Sequence, residues 1–133
     1  MMVVDSIKEN NQIAKEYKEL LKISYQSLSK DDRKLIRLAF DTSVDAHKNQ
    51  RRKSGEPYVF HPISVAKIVA SKIGLDATCI AAALLHDVIE DTDYSANKIT
   101  KIFGKKISKI VVGLTKISKL SKEENVSLQA ENF

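Results

Sequence analysis

With 133 residues, 43% of them hydrophobic, the chain suffices for one domain around one core and is too short for two ordinary ones. No apolar run approaches the roughly 20 residues of a membrane span, and the opening MMVVDSIKEN has neither the basic flank nor the apolar length of a signal peptide, so no membrane partner is expected and the expected compartment is the cytoplasm. The formal charge of +5 suits a polyanionic partner such as a nucleotide, a nucleic acid or an anionic lipid.

Gly and Pro are scarce, at four and two, and no Val/Ile/Thr alternation runs far enough for a strand. Apolar residues recur at helical intervals nearly throughout, so the predicted fold is all-α. The first helix is expected to begin near Ser6, whose spacing to Glu9 suits a capping box, with Ala14, Tyr17, Leu20 and Leu21 along one stripe. A second, after SLSKDD, carries Leu35, Ile36, Ala39, Phe40 and Val44 toward His47. KNQRRKSGEPYVF, residues 48–60, holds a Gly, a Pro and four basic residues without any period, which predicts a long loop, and loops of that size inside a compact fold are often functional.

Pro62 is a favoured first helical residue, and the helix it opens is expected to end at Gly74. Asp76 can cap the next, predicted to run through His86 to about Asp91. Cys79, the single cysteine, lies in this most apolar segment, where a thiol serves as a small core side chain and has no partner for an internal disulfide. An amphipathic pattern resumes at Ile99, Ile102 and Phe103, breaks at Gly104 and continues through Ile107, Ile110, Val111 and Leu114. Between Ser95 and Lys122 there are eight lysines and no acid, a face that is either simply solvated or ready for a polyanion. A last helical segment begins in KEENVSLQAENF without a terminator, which predicts a domain cut short.

IAAALLHDVIEDT, residues 80–92, sets the chemical problem. From Cys79 to Ile89 nine of eleven positions are apolar, yet His86 and Asp87 lie among them. If helices 62–73 and 77–91 form a hairpin, the first descends about 18 Å and His86 returns about 15 Å, which brings it level with His61. Glu90 follows His86 by four residues and Asp91 follows Asp87 by four, one helical turn on. Buried imidazole and carboxylate groups are tolerated when they bind one another or a metal. On the residues alone both readings stay open: a hydrogen-bonded pair closing the helix, or a divalent-cation site. The donor set excludes neither zinc, manganese nor iron, and hydrolysis is the natural chemistry of such an ion.

HKNQRRKSGEPYVFHP, then HDVIEDT with His86 25 residues after His61, then FGKKISKIVVGLTKIS, closely resembles the hydrolase domain of the RelA/SpoT homologues, among the HD-domain phosphohydrolases. The likeness spans about residues 30–120. It implies an HD-type helical bundle and a manganese-dependent enzyme that removes the 3′-pyrophosphate of guanosine tetraphosphate and pentaphosphate. By matched motif positions it implies that His61, His86 and Asp87 are metal ligands, that Glu90 and Asp91 position or activate the attacking water, and that Arg52 and Lys53, with Ser54, bind the guanine nucleotide. His47 is expected to be structural or to support the ligands from behind.

One departure stands out. The relatives' fourth metal ligand is an aspartate in a later motif like LADRLHN, which does not occur before Phe133. The resemblance therefore implies a partial domain spanning 1–133, weak or absent metal binding, low activity, and exposed core as a route to homo-oligomers. The competing expectations are a non-catalytic module holding an anion or nucleic acid on its lysines, the less favoured partner, and an HD phosphohydrolase for another nucleotide.

Overall fold

The structure, a computed structural model, describes residues 2–24, 28–72 and 76–117. Among these it is all-α, as expected: α1 Met2–Ser24, α2 Lys30–Ala46, α3 Phe60–Lys72, α4 Ala77–Leu85, α5 Val88–Asp91 and α6 Ala96–Phe103, followed by α7 over residues 105–117. α4 packs against both α2 and α3, and α3 also packs against α1.

The centre of the core is α4. Ala77, Ile80, Ala81, Ala82, Ala83, Leu84 and Leu85 are all buried, so the helix has no wet face because it is surrounded. Its four alanines are small enough to let neighbouring helices approach closely. Around it lie Tyr17 and Leu20 of α1, Ile36, Ala39 and Phe40 of α2, Ile63 and Ala66 of α3, Ile99 of α6 and Val111 of α7. Tyr17 stacks on Phe40 with ring centroids 4.3 Å apart, which ties α1 to α2.

Helix ends follow local chemistry. Ser29 accepts from the Asp32 amide while the Asp32 carboxylate accepts from the Ser29 amide, a complete capping box at the start of α2. Asp76 accepts from the Cys79 amide and caps α4, and Ser95 does the same for Lys98 in α6. Gly104 sits at φ 91°, a conformation open to glycine that lets the chain leave α6 and start α7 at once.

Several sequence expectations need correction. α1 begins at Met2, so Ser6 lies inside the helix rather than capping it. Ala14 is exposed, and Ile13 takes its place on the core side with Tyr17, Leu20 and Leu21. α3 starts at Phe60, two residues before Pro62, which a first helical turn accommodates because its amides have no helical acceptor anyway. Ile102 and Leu114, placed on the apolar stripe, remain 36% and 37% exposed. Most important, the helix predicted over 77–91 is two helices: α4 ends at Leu85, and a turn at His86 and Asp87 precedes the single turn α5. Gly74 and KEENVSLQAENF lie outside the described residues.

Because Leu84 is fully buried at the middle of this packing, Leu84→Ala should cost about 2–5 kcal/mol. Ser29→Ala should cost about 1 kcal/mol. Urea denaturation of the two variants beside the parent chain measures both, and equal losses would contradict the central place assigned to α4.

Candidate metal centre

The turn that divides α4 from α5 places the polar groups. At its first residue, the His86 Nδ1 lies 2.6 Å from the Ala83 carbonyl, and since a carbonyl can only accept, Nδ1 carries a proton and Nε2 is left to face the site. Asp87 follows in a bridge-like conformation, φ −98° and ψ −2°, and its carboxylate is 8% exposed. Its Oδ2 lies 3.0 Å from His86 Nε2 and 3.5 Å from His61 Nε2. His61 comes from the first turn of α3, and the two imidazoles meet edge to face at 5.3 Å. The hairpin therefore does bring both histidines to one level.

Among the described residues, His61, His86 and Asp87 form a group able to hold a metal, with one ligand atom from each lying within 4.8 Å of the others. Donors placed about 2.1 Å from an ion lie about 3.0 to 3.4 Å apart in octahedral or tetrahedral shells. The distances from Asp87 Oδ2 already approximate those edges, so the three residues fit a divalent cation. Two imidazole nitrogens and one carboxylate suit several divalent ions and select none of them.

Electrostatics separate the two imidazoles. Burial alone would push His86 down, but the Asp87 carboxylate and the Ala83 carbonyl outweigh it and raise its pKa. At His61 burial dominates over the attraction of Asp87, and the charges of His86 and Arg52 add to it, so its pKa is lowered. Burial would raise Asp87, yet its contacts with His86, Tyr58 and His61 reverse that and hold it below the usual carboxylate range.

The remaining predicted site residues fall in two places. Glu90 and Asp91 lie in α5, both half-buried. Asp91 reaches the centre, for its Oδ2 stands 3.4 Å from the Tyr58 hydroxyl that donates to Asp87 Oδ2 at 2.9 Å. Arg52, Lys53 and Ser54 are exposed on the 48–59 loop. Arg52 is close enough for its charge to act on His61. His47 is buried against the Tyr58 ring at 4.8 Å and holds Gln50 Oε1 with its Nδ1 at 2.8 Å. It is not one of the three clustered donors.

Two participants escaped sequence reasoning. Gln50 donates to the Asp91 carbonyl while accepting contact from His47, and Tyr58 bridges the two aspartates. Both lie in the aperiodic loop, where spacing says nothing about which side chains turn inward. The only signal was a tyrosine three residues before His61.

A cation held at this cluster would compete with a proton at His86, whose pKa is raised, so its affinity should rise with pH. The gain should continue above about 6.5, the ordinary histidine value, because His86 is raised while His61 is already neutral there. Calorimetric titration of a divalent ion at several pH values checks this; affinity that is flat across that range would contradict proton competition at His86.

Comparison with known proteins agrees with the resemblance read from the motifs. Residues 39–133 match the HD domain family. The chain is 48% identical over 99 residues to a probable guanosine-3′,5′-bis(diphosphate) 3′-pyrophosphohydrolase of Synechocystis, covering 74% of this chain and 13% of that protein. It is 44% identical over 106 residues to the bifunctional (p)ppGpp synthase/hydrolase SpoT of Escherichia coli, covering 80% and 15%. Against a guanosine-3′,5′-bis(diphosphate) 3′-pyrophosphohydrolase of Vibrio cholerae the whole chain aligns at 38% identity, covering 17% of that protein. The chain thus spans only about a sixth or less of these relatives' length. Among solved structures, a metazoan orthologue of SpoT that hydrolyses ppGpp superposes with a TM-score of 0.62 at 34% identity, covering 79% of this chain and 58% of that one.

Proposed function

The chain belongs to the HD domain family, and from that premise we propose that it carries the hydrolytic site of an alarmone phosphohydrolase, with Mn2+ as its ion and guanosine tetraphosphate and pentaphosphate as substrates. The observation that carries this reading is the meeting of His61, His86 and Asp87 at one point, in a chain whose relatives are named for hydrolysis of guanosine-3′,5′-bis(diphosphate). No helix among the described residues is long and apolar enough to cross a membrane.

His61, His86 and Asp87 would hold the ion. When bound, a divalent ion supplies Lewis-acid chemistry at a phosphoryl oxygen. Glu90 and Asp91, acids within one turn of the cluster, accept the proton of a water that attacks phosphorus of the 3′-pyrophosphate. The bond broken joins that phosphorus to the ribose 3′-oxygen, which leaves with a proton, so the products are a guanosine 5′-diphosphate or triphosphate and pyrophosphate. Arg52 and Lys53 lie exposed on the loop beside the cluster. A guanidinium plane can stack on the purine while its charge attracts phosphate, and Lys53 adds a mobile point charge nearby. Ser54 offers a hydroxyl contact from the same turn.

Incubation of guanosine tetraphosphate with Mn2+ and this chain, and with the longest polypeptide that contains it, should release guanosine diphosphate and pyrophosphate in at least the longer form. Asp87→Ala should lower kcat by more than about 100-fold, since losing a ligand exceeds losing a supporting contact. Arg52→Ala should act mainly by raising KM. A longer form that leaves the 3′-pyrophosphate intact, or in which Asp87→Ala is as active as the parent, would sink the assignment.

A further inference from the structure

Asp87 is the most constrained group of the centre. A carboxylate torsion is broad and soft, so a ligating aspartate needs something to hold one oxygen on the ion's side. Among the described residues, Tyr58 is a neutral donor in position to do that. The Tyr58 hydroxyl gives its single proton to Asp87 Oδ2 at 2.9 Å, and its oxygen stands 3.4 Å from Asp91 Oδ2. Oδ2 is also the oxygen that both histidine Nε2 atoms face.

The phenol itself is fixed from several sides. Its backbone amide donates to the Gln50 carbonyl at 2.9 Å, and its carbonyl accepts from the His61 amide at 3.0 Å. Its ring lies 4.8 Å from that of His47 and meets His61 edge to face at 5.9 Å. The backbone that places Tyr58 therefore also places His61. Gln50, whose amide donates to the Asp91 carbonyl, closes the circuit from the loop back to α5.

We propose that Tyr58 is a positioning residue: its hydroxyl orients the Asp87 carboxylate toward the two histidines. The same loop holds the backbone of Asp91 through Gln50 and presents Arg52 and Lys53 to solvent. This rests on the metal-centre reading above. A supporting hydrogen bond to a ligating group is conventionally worth 10- to 100-fold in metal affinity or activity, about the scale expected here.

Tyr58→Phe tests it, because the ring contacts with His47 and His61 remain and only the hydroxyl is lost. Mn2+ titration of the whole chain should show affinity about 10- to 100-fold weaker, with a metal-free melting temperature close to the parent's. The electron paramagnetic resonance spectrum of bound Mn2+ should broaden as the carboxylate gains freedom. In the longest active polypeptide kcat should fall while KM for the nucleotide changes less than about threefold. Asp87→Ala, run alongside, separates the two ideas. If Asp87→Ala abolishes Mn2+ binding and Tyr58→Phe binds as the parent does, the positioning role is wrong and the metal centre stands. If Asp87→Ala binds Mn2+ unchanged, the metal centre is wrong and the proposal falls with it.

Discussion

The polar end of this helical packing depends on a carboxylate placed where water hardly reaches. Asp87 follows directly on a helix enclosed by the core, and an anion in such a place must be matched by donors or a cation. The surroundings supply them from three separate elements: His86 from the same turn, His61 from the start of α3 and Tyr58 from the loop before it. The demand of one oxygen atom thus links segments far apart in the chain.

That demand also accounts for the break between α4 and α5. An uninterrupted helix would send the Asp87 side chain along the fixed angular spacing of its neighbours. The turn at His86 and Asp87 lets two adjacent residues address the same point, which consecutive positions of a regular helix do not do. The buried Thr115 of α7 lies against the His86 carbonyl, Oγ1 to O 3.5 Å, which ties α7 to the same turn.

The 48–59 loop divides its polar residues between inward and outward tasks. Arg51 grips Glu9 of α1 through both terminal guanidinium nitrogens at 2.6 and 2.9 Å and the Gly55 carbonyl at 2.9 Å. Gln50 and Tyr58 turn inward to Asp91 and Asp87, and Arg52 and Lys53 stay in solvent. Gly55, at φ 94°, reverses the chain so that Arg51 and Pro57 bridge across the loop. A basic run that reads as uniform charge in one dimension is thus a brace followed by a solvent-facing basic pair.

The helical class, the loop after His47, the capping by Asp76, the break at Gly104 and the nearness of His61 to His86 were legible in the amino-acid order, because each follows from periodicity, local capping chemistry or the rise of a helix over a known number of residues. The start of α1, the division of 77–91 and the inward turn of Gln50 and Tyr58 were not. Those outcomes depend on which atoms lie across a gap of many residues, and a buried carboxylate chooses its partners by distance in space. Sequence alone determined which polar groups were available near the end of α4; only the tertiary packing decided which oxygen they share, since hydrogen bonding and burial act on positions that the order of residues does not contain.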